Sequence, residues 1–245
     1  MKNLTQEQQK KMPKIKLITF DLDDTFWDIR SVIFPAEINS RKWIETNLGK
    51  KINWGSLDNF MNIRNYLIST DSSLEYDLGK LRKKIVEHYV HPYFDNKTAQ
   101  KAFINEAYAH FLKERHKVVF FSGVTKVLKE LNKHYMLGVL TNGNADVNLL
   151  GLGHFFNFSI SAMDAKSNKP NPTHFEMAKE ISGIAFQNTL HVGDHPINDI
   201  RGARDLGINT IWFNFKNNPW ELDKNPPIEF NQWSEFINLL SSNYD

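Results

Sequence analysis

Asp21 and Asp23 stand two residues apart directly after the apolar run of residues 15–20 (IKLITF), and Asp24 and Thr25 follow at once. Side chains at i and i+2 of a strand share a face, so the two carboxylates would point the same way if the strand continued. Like charges that close raise each other's pKa unless a cation compensates. The pattern calls for a metal ion, or for division into a nucleophile and a protonatable partner. Asp194 follows a second apolar run, residues 189–192, and adding it gives an all-oxygen donor set that suits Mg²⁺ rather than zinc or copper. A phosphate held there would also need a hydroxyl and an amide, Thr141 and Asn142, nearby backbone N–H groups, and a lysine. Lys169 is the candidate lysine over Lys166, because Pro170 and a helix start follow it. The chain contains no cysteine, which excludes a thiolate nucleophile, Cys-ligated zinc and iron–sulfur clusters. Covalent chemistry falls to a carboxylate, hydroxyl, imidazole or amine.

These residues are distant in sequence, so the fold must gather them. Residues 15–20 read as a buried strand delivering carboxylates at its C-terminal end. Residues 28–115 change to helical spacing, as in Ile33, Ile38, Trp43, Ile44 and Leu48, with no convincing strand. Alternation then returns: a helix over 124–133, a strand over 136–140 ending in Thr141-Asn142-Gly143-Asn144, and a short strand near 158–161. A helix follows, with Asn171 as its cap, Pro172 at its first position and Gly183 past its end. Next come a strand over 189–192 opening onto Gly193-Asp194, a helix over about 197–206, a strand over 208–213, and a last helix over 232–240.

Strands alternating with helices predict an α/β fold, a doubly wound parallel sheet of Rossmann-like type. In such sheets ligands bind at the carboxyl ends of the strands, where Asp21 to Thr25, Thr141 to Asn144 and Gly193-Asp194 all fall. The helical block leaves from that edge and returns to the sheet, so it is placed to act as a lid. The expected organisation is a polar N-terminal extension over 1–13, a catalytic core over 14–27 and 116–245, and a helical cap over 28–115.

The set Asp21-Leu22-Asp23-Asp24-Thr25, Leu140-Thr141-Asn142, Lys169-Pro170, and Gly193-Asp194 with Asn198-Asp199 and Gly202-Ala203 resembles the four motifs of the haloacid dehalogenase-like hydrolase superfamily, in order and in spacing. The helical block resembles a cap of the C1 type. The resemblance implies that Asp21 attacks phosphorus to form an aspartyl-phosphate, and that Asp23 protonates the leaving oxygen and later activates water. It implies Mg²⁺ bound by Asp21, by the backbone carbonyl of Asp23 and by Asp194, with Asp199 in a supporting or water-mediated role. Thr141, Asn142 and Lys169 would bind the phosphoryl oxygens. Asp23 favours a phosphatase, since dehalogenases resembling this fold lack the second Asp. Residues 141–153, 167–170 and 191–194 are similar to bacterial phosphatases acting on flavin mononucleotide and on a riboflavin-pathway phosphate. His195 departs from those relatives and could perturb the surroundings of the metal.

Several residues also carry a simpler reading. Asp24 and Thr25 could order the loop, Asp199 could cap or orient the helix beginning near Ile197, and His191 could be a satisfied core histidine. Phe26, Trp27 and Trp54 could pack, or could stack on a planar ligand. Thirty Lys and Arg against 28 Asp and Glu leave a net charge of +2, which makes no nucleic-acid footprint. No stretch suits a membrane span, so a cytoplasmic enzyme acting on a small phosphorylated metabolite is expected, monomer or homodimer being open. The alternatives are a 2-haloacid dehalogenase-type hydrolase and a phosphate-binding or signalling module that does not turn over.

Overall fold

The computed structural model describes residues 14–244; the extension expected over 1–13 lies outside them. Strand β1 (Leu17–Phe20) is buried at every position, as a central parallel strand covered on both faces must be. It leads to four helices, α1 (Ile29–Leu48), α2 (Leu57–Thr70), α3 (Leu78–Val90) and α4 (Lys97–Arg115). Beyond them come α5 (Val124–Leu131), β2 (Met136–Thr141), β3 (Phe158–Ser161), the single turn α6 (Ala162–Ala165), α7 (Thr173–Ser182) and β4 (Thr189–Gly193). The chain ends with a π-helical turn over Pro196–Arg201, the short α8 (Gly202–Arg204), β5 (Asn209–Phe213), β6 (Ile228–Phe230) and α9 (Phe236–Tyr244).

The six strands pair in the order β3-β2-β1-β4-β5-β6, all parallel. Strand order reverses between β1 and β4, which opens a crevice at their carboxyl ends. Phe20 is in register with Val139 on one side and Val192 on the other, so β2 runs two residues and β4 one residue past the end of β1. The Asp21 N–H donates to the Val192 carbonyl at 2.9 Å, which carries the pairing up to the first carboxylate. An aromatic cluster underlies this edge: Phe20 and Trp233 lie 5.4 and 5.3 Å from Phe26, and Phe230 lies 5.1 Å from Phe236. Phe26 and Trp27 are fully buried there, so neither ring is available to stack on a ligand.

The helical block has its own apolar centre of Ile44, Val86, Val90, Ile104 and Ala107. Each of its helices starts on a side-chain cap, Asp28, Ser56, Asp77 and Asn96 in turn, which satisfies N–H groups that the first turn leaves unpaired. No strand occurs in residues 28–115, and no described helix is long and apolar enough to cross a membrane.

The last helix, expected over 232–240, runs over Phe236–Tyr244 behind a 3₁₀ turn at Trp233–Glu235, and other elements differ as well. Helix α7 starts one residue later than predicted, because Asn171 accepts from Thr173 N–H and leaves Pro172 as a cap without a side-chain bond. The helix expected over 197–206 is the π turn followed by α8, opened around the inward-facing Asp199. Strand β6 was not anticipated, since its three residues after Pro226 and Pro227 are too few to show a period.

Candidate active site

Three strand ends and one loop meet at the crevice. Asp21 extends β1, Thr141 closes β2, and Asp194 follows β4. The loop after α6 delivers Lys169, whose buried ammonium donates to Asp21 Oδ1 at 2.8 Å, Asp199 Oδ1 at 2.6 Å and the Leu140 carbonyl at 2.5 Å. Lys166 lies outside this arrangement, at the left-handed residue that ends α6. Asn142 holds the loop in place: its Oδ1 accepts from Lys169 N–H at 2.7 Å, and its Nδ2 donates to the Lys169 carbonyl at 3.0 Å. The Asn142 side chain thus positions Lys169 through both its oxygen and its nitrogen.

Asp21, Asp194 and Asp199 each bring a carboxylate oxygen to within 4.8 Å of the others. Burial, with the neighbouring Asp199 charge, pushes Asp21 up to about 7 against the pull of Lys169. Burial and the charges of Asp199 and Asp21 likewise raise Asp194 well above the ordinary carboxylate range. For Asp199 burial alone would raise the carboxyl, but Lys169 and His191 override it and hold it far below that range. Lys169 is raised in turn, because Asp199 and Asp21 outweigh its own burial. The cluster is short of positive charge and made of hard oxygen donors, which is the environment a divalent cation such as Mg²⁺ takes up. Gly193 leaves it room: a Cβ there would meet Asp199 Cγ at 2.3 Å.

Asp23 sits apart from that cluster. Both its oxygens accept from Arg115 Nη2, at 2.6 and 2.7 Å. Burial raises its carboxyl above the usual value, and Arg115 pulls it back. A Cβ on Gly143 would lie 2.5 Å from Asp23 Oδ2 and 3.2 Å from Thr141 Oγ1, so the glycine lets the β2 loop close over both groups. Two carboxylates two residues apart thus have separate cationic partners, which permits separate protonation states.

A family model described as haloacid dehalogenase-like hydrolase matches residues 18–213. The chain belongs to that family. Among curated relatives, the 5-amino-6-(5-phospho-D-ribitylamino)uracil phosphatase YigB of Escherichia coli K12 is 26% identical over 231 residues, covering 93% of this chain and 97% of that protein. A glyceraldehyde 3-phosphate phosphatase of Pyrococcus furiosus is 26% identical over 234 residues, covering 92% of this chain and 90% of that one. A solved structure described as a 2-haloacid dehalogenase from Pseudomonas syringae superposes with a TM-score of 0.86 at 35% identity, covering 93% of this chain and 99% of that one.

In this haloacid dehalogenase-like hydrolase the expected residues Asp21, Asp23, Thr141, Asn142, Lys169, Asp194 and Asp199 all reach the crevice edge. Asp199 faces the cluster as well as reaching back to the start of its own turn: it accepts from Lys169 and His191, and from the N–H of the cap residue His195. His191 is the satisfied core histidine, bonded to Asp199 and, at 2.9 Å, to Thr19. His195 caps the π turn, its Nδ1 accepting from Ile197 and Asn198 N–H. Asp24 anchors the loop by accepting from Ile29 N–H at 2.9 Å and Lys216 at 3.1 Å. The Thr25 hydroxyl, expected to order that loop, is buried with no partner; its carbonyl does so instead, accepting from Trp233. Sequence reasoning missed Arg115, which lies in the charged run Lys113-Glu114-Arg115-His116-Lys117, a pattern shared with any solvated helix end.

Proposed function

We propose that this chain is a Mg²⁺-dependent phosphomonoester hydrolase working through an aspartyl-phosphate on Asp21. The observation that carries the reading is the split between the two carboxylates: Asp21 with Lys169 and the acidic cluster, Asp23 with Arg115. Asp21, Asp194 and Asp199 would hold the cation, which when bound neutralises phosphoryl and carboxylate charge. An Asp21 oxygen attacks phosphorus as the ester P–O bond breaks, and Asp23 gives its proton to the departing oxygen. Asp23, now a carboxylate, takes a proton from water, whose oxygen attacks the same phosphorus and releases phosphate and free Asp21. Lys169, Thr141 and Asn142 would balance charge on the phosphoryl oxygens.

The helical block is the cap in this reading, and the leaving group enters it. A cavity of about 170 Å³ there is walled by Trp54, Tyr89, Arg41, Glu37 and Phe111 of the block and by Asn144 of the core. Asn144 follows Gly143 beside Asp23, which brings this space to the reacting edge. Trp54 and Tyr89 stand 4.9 Å apart, with Arg41 5.0 Å over the Trp54 ring. The aromatic and guanidinium faces, with the likeness to YigB, support a riboflavin-pathway phosphate or flavin mononucleotide as substrate.

The test is phosphate release from p-nitrophenyl phosphate and from a panel of flavin, nucleotide and sugar phosphates. Chelation of Mg²⁺ or Asp21→Asn is expected to abolish it; full activity in either case refutes the mechanism. The dehalogenase likeness supports a second reading, in which Asp21 attacks a C–halogen carbon. A halide departs without a proton, leaving Asp23 without a leaving group to serve. Chloride release from 2-chloropropionate at a rate above that of phosphate release would establish it.

A further inference from the structure

We propose that Arg115 is the positioning residue for the acid/base Asp23, an inference that rests on the role just assigned to Asp23. Arg115 is the last residue of α4, is 2% exposed, and reaches from the helical block to the end of β1. One nitrogen, Nη2, spans both carboxylate oxygens. Bonds to both oxygens stop the carboxylate from turning about its terminal torsion, which is otherwise broad.

The surroundings leave the carboxylate little other choice. Gly143 closes one side. The Trp27 ring lies 5.7 Å from the Arg115 guanidinium carbon. Arg115 Nη1 is buried without a hydrogen-bond partner, a cost that a purely stabilising ion pair would not need to carry. Lys169 is occupied by Asp21, Asp199 and the Leu140 carbonyl, so Arg115 supplies Asp23 with a cation of its own. Among the described residues its side-chain hydrogen bonds go to Asp23, so it acts through Asp23.

A residue that serves proton donation matters when the leaving group needs a proton. The experiment compares kcat/KM for glycerol 1-phosphate, an alkyl ester, with that for 2,4-dinitrophenyl phosphate, whose leaving group departs unprotonated. Arg115→Gln, Asp23→Asn and the double variant are measured in the full-length enzyme with Mg²⁺. General acid catalysis supplies roughly 10²–10⁴-fold. Arg115→Gln is expected to lose about 30-fold or more on the alkyl ester and less than about threefold on the aryl ester. The double variant should be no slower than Asp23→Asn alone, because residues acting through one group are not additive. Equal losses on both esters, or additive losses in the double variant, overturn the proposal. If Asp23→Asn itself slows both esters alike, or neither, the acid/base reading of Asp23 fails instead. Should Arg115→Gln not fold, Arg115→Lys carries the same comparison: a smaller but still selective loss supports the proposal, and an unselective one overturns it.

Discussion

Replacing Lys169 by Met removes the cation that pairs with Asp21 and Asp199 in the acidic cluster while keeping a long side chain in its place. The ammonium has three acceptors, and its loss leaves Asp199 with His191 at 3.1 Å and His195 N–H at 3.0 Å, but takes from Asp21 the partner of its side chain. Removing one partner of a buried ion pair costs about 3–5 kcal/mol. For a chain of this size each kcal/mol is worth about 2–4 °C, so the melting temperature in chelator should fall by roughly 6–20 °C. The same change makes the cluster more negative, and Mg²⁺ should raise the melting temperature of the variant by more than it raises that of the wild type. Lys169 lowers the Asp21 carboxyl, so without it Asp21 binds a proton at higher pH, and the variant should gain stability between pH 8 and pH 6. Turnover should fall by about 10²–10³-fold, the worth of one preorganised charge at a developing anion. Thermal melts with and without Mg²⁺ at both pH values decide the matter. A drop of under about 3 °C in chelator, or weaker stabilisation by Mg²⁺ than in the wild type, would refute the assignment of Lys169 as the counter-charge of this cluster.

His174 is buried, with Nε2 donating to the Thr141 carbonyl at 3.3 Å, and burial and Lys169 hold it down at about 4. Its unfolded value is near 6.5, so the unfolded chain takes up a proton that the folded one refuses, and stability is lost as pH falls from about 6.5 towards 4. Between pH 7 and pH 5 the loss amounts to about 2 kcal/mol, and His174→Gln should melt with a drop smaller by roughly 4–8 °C over that interval; identical drops would refute this. Gly143→Ala forces a methyl group to within 2.5 Å of Asp23 Oδ2, and kcat should fall by at least about tenfold with the far-ultraviolet circular dichroism unchanged. Asp23→Asn should slow turnover of alkyl phosphates while Mg²⁺ still raises the melting temperature; loss of that rise would move Asp23 into the metal cluster.

The catalytic edge was legible because each of its residues lies within a few positions of a buried strand or a helix start. Strands such as β1 and β4 announce themselves by short runs of mostly apolar and β-branched residues, and Asp21 and Asp194 follow directly after them. Lys169 could be told from Lys166 by the proline after it. What stayed hidden depends on contacts across long separations: Arg115 meets Asp23 over 92 positions, and Asn142 meets Lys169 over 27. Nothing local distinguishes such a pair from two solvated side chains. Phe26 and Trp27 were equally ambiguous, since an aromatic residue beside a site reads the same whether it faces a ligand or the core; Phe20 and Trp233 take the Phe26 face.

The neighbouring residues Asp23 and Asp24 grip opposite ends of the helical block. Asp24 accepts from the first residue of α1, Ile29, and Asp23 binds the last residue of α4, Arg115. The whole excursion from 29 to 115 is thus stapled at its two feet to adjacent positions of one strand end. For a loop closed in this way the entropy cost grows only as the logarithm of its length, so helices could be exchanged, lengthened or shortened within it with little charge to the sheet beneath. The sheet and its carboxylates can then stay constant while the excursion they anchor is rebuilt around a different leaving group.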